Sequence, residues 1–348
     1  MKKSFIKIFL TLLITLLLLF FFFKNTDLKE VHYHLKKISS ISILSFILFV
    51  FLSFVIRAFR WKYMLINQKE NIKFSNLLSA IIIGFAISYS IPGRVGEVVR
   101  PVLIGYKENI NKSFAFGTVV VERLFDIISA IFLYGTFLFW SLFANDSLYK
   151  DKEVFKIIKK GSIFAFSLVF SLIFLLFIFH KNKTFLRSLI FFFMKPFTPK
   201  IKQNVLNIGE NFLNGINCFF YNKKNLFFII FYSIFLWTFI SFSYWFFLYF
   251  TGIKIPFFYS FPYILILIVG ASVPTPGMVG GFHAASKIGL VSLFSLDENQ
   301  AIGITLILHI IVVVTTIFLG ILFSWKEGLS ISKFKSIEKT KKLKQYIF

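Results

Sequence analysis

The alternation of long apolar stretches with short basic ones constrains this chain most. Stretches of about 17 to 30 residues that are nearly free of charge are separated by segments rich in Lys and Arg. A helix rises about 1.5 Å per residue, so each stretch can cross a hydrocarbon core about 30 Å thick. Only 16% of residues are charged and 57% are hydrophobic. The pattern predicts an all-α polytopic membrane protein and excludes a soluble Rossmann, barrel or sandwich enzyme.

Eight stretches are predicted to span the membrane. The first, 5–23, is followed by no small-residue cleavage site, so we interpret it as a retained anchor and not a signal peptide. Two shorter apolar pieces, 95–106 and 281–294, each follow a Pro-Gly pair, and we expect them to form short broken or re-entrant helices. The eight predicted spans are 5–23, 41–66, 74–91, 114–144, 161–180, 225–250, 257–273 and 299–325.

The two Pro-Gly breaks resemble each other in sequence. The first reads IPGRVGEVVRPVLIG and the second TPGMVGGFHAASKIG, and aligning Pro92 with Pro276 matches five positions. This match predicts an internal repeat, although a chance match in so biased a composition is the alternative. In transporters, broken helices at corresponding places of two repeats surround a binding site near the bilayer midplane.

The charge distribution predicts the topology. The chain has 39 basic and 15 acidic residues, a net charge of +24, but no compact basic domain that would hold a nucleic acid. With a cytoplasmic N-terminus and ten crossings, the inside segments carry 25 Lys and Arg and the outside segments 10, as the positive-inside rule requires. We therefore predict a multi-pass protein of the bacterial cytoplasmic (inner) membrane with both termini cytoplasmic. The same assignment makes the two repeats run in opposite directions, as an inverted repeat.

The whole chain, 1–348, is expected to form one integral membrane domain. Within it, Phe and Leu recur at helical spacing among polar residues in segment 181–224, which predicts an amphipathic helix on the cytoplasmic surface. A solvated linker is the alternative for that segment. The end of the chain, 326–348, is a basic cytoplasmic tail.

Several kinds of chemistry have no sequence signal. The single cysteine, Cys218, excludes a disulfide framework and a cysteine metal cluster. The chain also has no metal-spaced histidine pair, no phosphate-binding GxxxxGKS loop and no GxSxG motif. We therefore expect no metal and no cofactor, and an enzyme is the less favoured class.

Ionisable residues within apolar surroundings are the candidate site. A charged residue at the centre of a membrane-spanning helix raises the free energy of insertion by about 2.5–3.5 kcal/mol or more, so it needs a partner or a water-filled cavity. One interpretation is that buried ion pairs fix the helix packing. The other is a polar cavity between broken helices, where arginines and helix N-termini bind an anionic headgroup and carboxylates bind its cationic or hydroxylated part. The predicted cavity residues are Arg94, Glu97, Arg100, Glu122, Arg123, Asp126, Pro276, Gly277, Gly280, Gly281 and His283.

Two other groups of polar residues lie in or beside predicted spans. Arg57, Arg60 and Trp61 lie near the end of a predicted span, and we interpret them as membrane-interface anchors and not as site residues. His309 lies within the last span, where it either hydrogen-bonds a neighbouring helix or belongs to the site.

The motifs carry a family resemblance. The chain resembles the lysylphosphatidylglycerol synthase transmembrane, or flippase-like, family over essentially its whole length. Four features carry this resemblance: GRVGEVVRP, VERLFDIISAIFL about 20 residues later, PTPGMVGGFHAA and His309. Many members have Glu after the last glycines, where this sequence has His283. The best-known relatives fuse this domain to a soluble aminoacyl-transfer domain and move a charged phospholipid between leaflets. Only 23 residues follow Trp325, so we expect no synthase activity from this chain.

Three functions are compatible with these features. The favoured hypothesis is a translocase for a phospholipid or a lipid-linked headgroup; with no ATP-binding motif, transport would be facilitated or ion-coupled. The second is a membrane-embedded enzyme that uses Glu122, Asp126 or His283 as acid or base on a lipid. The third is a non-transporting partner of an envelope-synthesis complex that docks through 181–224. Membrane lipids are the expected partners, and the oligomeric state stays open.

The topology predicts which segments an outside reagent cannot reach. Cysteines introduced at the N-terminus, in 181–224 and in the tail of a Cys218-free variant should resist an impermeant thiol reagent added to intact cells, because all three segments are cytoplasmic. A cysteine in 251–256 is the matched external control and should label. Labelling of all three segments in intact cells would contradict the topology.

Overall fold

The structure is a computed structural model that describes most of the chain. It describes residues 13, 15–24, 26–91, 93–143, 199–216, 222–273 and 275–328, with residues 167, 170, 171 and 174. All regular secondary structure in these residues is helical, and no strand occurs among them. The predicted all-α class is therefore confirmed for the described part of the chain.

Residues 15–23 are helical, and ten further α-helices follow in the described residues. A 3-10 turn, Phe257–Tyr259, leads into the eighth, and a second one, Pro276–Met278, precedes the ninth. The ten helices are α1 Leu28–Lys36, α2 Ser40–Leu65, α3 Phe74–Ser90, α4 Gly96–Glu108, α5 Lys112–Phe143, α6 Pro199–Ile216, α7 Lys223–Phe250, α8 Ser260–Ala271, α9 Gly281–Phe294 and α10 Glu298–Lys326.

Apolar length predicted these helices well. Six predicted spans end within two residues of α2, α3, α5, α7, α8 with its 3-10 turn, and α10. Among the described helices, α2, α7 and α10 are long and apolar enough to cross a membrane on their own, and α3 and Phe257–Ala271 are shorter apolar helices. Predicted span 161–180 lies outside the described residues apart from four positions, so the number of spans stays a prediction.

Each Pro-Gly break joins two helices into a tight hairpin. We call α3 and α4 the first hairpin and α8 and α9 the second hairpin. In the first, a Cβ atom on Gly96 would overlap the carbonyl oxygen of Gly84, and in the second, a Cβ atom on Gly281 would overlap that of Gly270. Only glycine permits backbones to approach this closely. Both hairpins are thus closed by the same kind of glycine–glycine contact, although Gly281 lies one position beyond Gly280, the residue that aligns with Gly96.

The backbone of the two breaks also corresponds at two consecutive aligned positions. Gly93 and Gly277 occupy aligned positions, and both have positive φ angles, 87° and 59°. The next residues, Arg94 and Met278, are also left-handed, with φ of 54° and 60°. Left-handed backbone is rare for residues other than glycine and often marks functional positions. The sequence match between the breaks therefore extends to their conformation.

The short helices end alike as well. Asn109 follows α4 with φ 55°, and Ser295 follows α9 with φ 53°. Together with Arg94 and Met278, these are all the residues other than glycine with positive φ in the described part of the chain. Every one of them has a counterpart in the other hairpin.

Helix packing follows the same correspondence. The bundle pairs α2 with α7, α3 with α10, and α5 with α8. Within each half, α4 packs on α5 and α9 on α10. Exchanging α2–α5 for α7–α10 maps the α2–α7 pair onto itself and each of the other pairings onto another observed one.

Part of the segment 181–224 is helical. Residues 199–216 form α6, which packs extensively against α5. A helix is observed at 199–216 instead of the alternative linker. The rest of 181–224 and the tail lie outside the described residues, apart from 222–224 and 326–328 at their edges. The side of the membrane on which α6 lies stays a prediction.

A polar contact ties α4 to the loop before α3. Glu108, the last residue of α4, accepts hydrogen bonds from the Lys69 ammonium, the Asn76 amide and the backbone N–H of Lys73. Burial alone would raise the pKa of Glu108, but these hydrogen bonds outweigh it and hold that pKa below its ordinary value. The carboxylate stays charged and holds the base of the first hairpin.

The hairpin geometry predicts the effect of one methyl group. Gly96→Ala should lower the free energy of unfolding by about 1–3 kcal/mol, because the new Cβ must push α4 away from α3. Gly135→Ala on α5 is the matched control: its Cβ would have no neighbour within 4 Å. The control should keep or gain stability, by up to about 1 kcal/mol. Thermal unfolding in detergent measures both, and equal melting of the two variants would refute the close contact.

Candidate functional site

Helix α2 carries two arginines and a tryptophan into the centre of the bundle. Arg57, Arg60 and Trp61 lie at i, i+3 and i+4, so they share one helix face. Arg60 and Trp61 are fully buried, and Arg57 is 8% exposed. Their interpretation as interface anchors is wrong: the face also bears the buried Met64, so it packs inward instead of reaching the membrane surface.

Glu122 on α5 is the centre of a buried ion cluster. Its Oε1 lies 2.9 Å from Arg60 Nη2 and 2.9 Å from Arg123 Nη2. Arg100 Nη1 donates to the same oxygen at 3.3 Å, and Arg100 Nη2 donates to Oε2. One fully buried carboxylate therefore compensates three guanidinium groups that come from α2, α4 and α5.

Asp126, one turn further along α5, extends the cluster to α7. Its Oδ1 accepts from Arg60 Nη1 at 2.7 Å and from Trp237 Nε1 at 2.9 Å. Its Oδ2 lies 3.3 Å from Arg123 Nη1. Arg60 also donates to Ser233 Oγ at 3.2 Å. The cluster thus ties the C-terminal part of α2 to the middle of α5 and α7.

Aromatic rings cover the faces of the guanidinium groups. The Arg100 Cζ lies 4.3 Å from the ring centroid of Trp61. The Arg57 Cζ lies 5.0 Å from the ring of Phe85 and 6.0 Å from that of Trp237. Such cation–π contacts stabilise a cation away from water and restrict the plane of the guanidinium.

The start of the first hairpin supplies a more exposed ion pair. The side chains of Arg94 and Glu97 are 36% and 33% exposed, and they approach to 3.6 Å. Arg123 Nη1 lies 3.9 Å from the same Glu97 oxygen. Arg94 Nη2 also donates to the carbonyl oxygen of Ala271 at 2.8 Å. Because both of its arginine contacts exceed hydrogen-bond distance, Glu97 is held more loosely than Glu122 or Asp126.

These groups border a cavity of about 390 Å³ in the bundle. The cavity has a charged end and a larger apolar end, so its wall is amphiphilic. The charged end is lined by Arg57, Arg94, Glu97, Arg100, Arg123 and Asp126. The apolar part includes Phe46, Phe49, Ile240, Ile264, Leu267 and Phe282.

The charged end has a surplus of positive charge. Arg60 and Glu122 lie directly behind the wall and contact the groups that line it. Counting those two, five arginines face three carboxylates, which leaves two positive charges uncompensated within the cluster. An anionic group that enters the cavity would therefore be attracted to this end.

The second hairpin reaches the cavity through other residues than those predicted. Met278 and Phe282 line it together with His309 of α10. His309 Nε2 lies 2.8 Å from the Gly277 carbonyl oxygen, and because a carbonyl only accepts, this nitrogen carries the proton. Of the predicted residues, Gly277, Gly280, Gly281 and His283 shape or support the second break and do not border the cavity, and Pro276 begins the 3-10 turn of that break.

The remaining predicted residues divide into two groups. Arg94, Glu97, Arg100, Arg123 and Asp126 lie together at the charged end, whereas Glu122 lies behind it; that these residues bind a substrate stays a prediction. Sequence reasoning missed Arg57 and Arg60, although the i, i+3, i+4 pattern with Trp61 was a usable signal of an inward face. Trp237 and Ser233 had no signal, because only tertiary packing brings α7 to the cluster.

Comparison with known proteins shows the family of the chain. It matches the family described as Lysylphosphatidylglycerol synthase TM region over residues 8–320. The chain belongs to this family. It is also 26% identical over 290 residues to the UPF0104 membrane protein MJ1595 of Methanocaldococcus jannaschii, a match that covers 80% of this chain and 82% of the relative. No solved structure matches it.

Membership of the Lysylphosphatidylglycerol synthase TM region family agrees with the helix pattern. The matched region contains both breaks, the charge cluster and His309. The family match and the apolar helices together support the conclusion that the chain is an integral membrane protein. The resemblance expected from the motifs is thereby confirmed.

The cluster predicts a strong effect of neutralising its centre. Glu122→Gln should destabilise the fold by about 3–5 kcal/mol, since the buried guanidinium groups of Arg60 and Arg100, together with that of Arg123, would lose their shared counter-charge. Glu70→Gln, in the exposed loop before α3, is the control and should melt like the wild type. A Glu122→Gln variant with unchanged melting in detergent would show that the cluster does not hold the helices.

Proposed function

We propose that this protein is a translocase that moves a lipid with an anionic or zwitterionic headgroup across the cytoplasmic membrane without ATP hydrolysis. The observation that carries the proposal is the amphiphilic cavity, which joins an arginine-lined end to an apolar end inside an apolar bundle. Membership of a membrane family whose motifs resemble flippase-like proteins supports the same conclusion.

The cavity suits a lipid headgroup better than a whole lipid. Its volume of about 390 Å³ is at the lower end of the roughly 300–1,000 Å³ usual for pockets that enclose a drug-sized molecule. The headgroup would contact the arginines while the start of an acyl chain lies along Phe46 and Phe49. The rest of the chains would stay in the bilayer, whose interior is as apolar as that wall.

The two hairpins provide a geometry for alternating access. Each break touches the helix that leads into the other break: Arg94 donates to the carbonyl of Ala271, and a Cβ on Gly277 would lie 3.3 Å from the carbonyl of Tyr89. Such reciprocal contacts are those of two repeats related by a two-fold axis. We propose that they are an inverted repeat whose hairpins open the cavity in turn to each leaflet. The topology with both termini cytoplasmic belongs to this proposal.

The lipid-modifying enzyme has less support in the geometry. Glu122, one candidate base, is fully buried and surrounded by three guanidinium groups, and Asp126 is bound to Arg60 and Trp237. His283 does not border the cavity. For a partner of an envelope-synthesis complex, α6 is the described part of the suggested docking segment, and it packs against α5.

The proposal is tested by reconstitution into vesicles with fluorescent lipids. Glu97→Gln and Arg123→Ala should each reduce translocation about tenfold to a hundredfold, because a hydrogen bond to a charged group contributes about 1.5–3 kcal/mol. Both side chains are about one-third exposed, so water can solvate what remains and melting should change little. Lys62→Gln, on α2 but outside the cavity, is the control.

The results distinguish a transport site from ion pairs that only fix the packing and from an enzyme. Normal transport by Glu97→Gln and Arg123→Ala would contradict the cavity as the transport site. A large fall in their melting temperatures would instead favour ion pairs that only fix the packing. A chemically altered lipid in the vesicles would favour the enzyme.

A further inference from the structure

We infer that the translocated headgroup ends in a dianionic phosphate monoester, and that Arg57 binds it. The inference rests on the proposed function and goes beyond it, because it selects one headgroup class among anionic and zwitterionic lipids. It is carried by the contacts of Arg57, by the charge of the cluster and by the wall of the cavity.

Arg57 differs from the other buried arginines in its partners. It is 8% exposed, it lines the cavity, and its Nη1 has no hydrogen-bond partner among the described residues. The nearest carboxylate oxygen, Oε1 of Glu122, lies 4.0 Å away and already contacts three other guanidinium groups. Arg57 therefore presents a buried cationic donor to the cavity that the described protein groups do not satisfy.

The other arginines of the site are engaged. Arg60 binds Asp126 and Ser233, and Arg100 binds both oxygens of Glu122. Arg94 donates to the carbonyl of Ala271. Among the described arginines that line the cavity, Arg57 is thus the one whose guanidinium forms no hydrogen bond to a described group, and Phe85 and Trp237 hold it in place.

The amount of surplus charge points to a dianion. Five arginines and three carboxylates leave two positive charges. A phosphate monoester carries about −1.5 to −2 charges near pH 7 and offers three acceptor oxygens. A phosphodiester carries one negative charge and would leave the cluster positive. The guanidinium fork of Arg57 also matches two phosphate oxygens at once.

Neighbouring groups complete a phosphate site on an amphiphile. Ser88 and Tyr89, at the end of α3, line the same cavity and bring hydroxyl donors to it. Phe46, Phe49 and Phe85 line it as well, so the ligand has an apolar part and is not free phosphate. A glycerophospholipid with a terminal phosphate and a polyprenyl phosphate both have this chemistry.

Binding to the purified protein in detergent tests the inference. Phosphatidic acid, a polyprenyl monophosphate, phosphatidylglycerol, phosphatidylcholine and inorganic phosphate are compared by competition and native mass spectrometry. At least one of the two phosphate monoester lipids should bind about tenfold or more tightly than phosphatidylglycerol, and inorganic phosphate should bind weakly. The tighter of the two monoesters identifies the source of the headgroup.

Variants separate recognition from folding. Arg57→Gln should remove the preference for the monoester and should melt at or above the wild-type temperature in lipid-free detergent, because it deletes an uncompensated charge. Arg57→Lys should retain part of the preference, since it keeps the charge and loses the fork. Lys62→Gln, on the same helix and outside the cavity, should behave like the wild type.

Three results would overturn the inference. The first is equal binding of phosphatidic acid, polyprenyl phosphate and phosphatidylglycerol. The second is an unchanged preference of Arg57→Gln for the monoester, and the third is binding of inorganic phosphate as tight as that of the lipids. Translocation is scored separately in vesicles. Transport of phosphatidylglycerol without monoester preference would keep the translocase and reject the phosphate site. A monoester preference without any transport would keep the site and reject the translocase.

Discussion

The structure depends on one constraint: a charge inside an apolar bundle must be compensated by another charge or by a polar ligand. Glu122 meets this requirement for three arginines at once and so fixes α2, α4 and α5 relative to each other. Asp126 and Trp237 add α7 to the same centre. Because five arginines share three carboxylates in this cluster, positive charge remains at the cavity wall.

The sequence predicted features that depend on local pattern and missed those that depend on packing. Apolar length set the bounds of six spans, and the paired Pro-Gly motifs located both breaks. The clustering of Arg94, Glu97, Arg100, Arg123 and Asp126 followed from charge at membrane depth. Arg57 and Arg60 were misassigned because basic residues near a helix end usually reach the interface; their shared face with Trp61 was a signal to the contrary, and the packing of α2 against α7 shows that this face is buried.

The two hairpins share a backbone but differ in chemistry. Arg94 and Met278 have the same left-handed conformation at aligned positions, yet one is charged and the other apolar. Likewise, Glu97 of the first hairpin aligns with Gly281 of the second. The first hairpin thus brings charge to the cavity, while the second brings Met278, Phe282 and, through its contact with Gly277, His309. This asymmetry gives the cavity its charged and apolar ends.

The central claim is that the arginine end of the cavity receives a lipid headgroup. An experimental structure in a bilayer disc made from the cell's own lipids tests it most directly. We predict headgroup density inside the bundle, with a phosphate oxygen about 3 Å from a guanidinium nitrogen of Arg57. Headgroup density confined to the outer perimeter of the bundle, with the arginine end closed by protein side chains, would contradict the account.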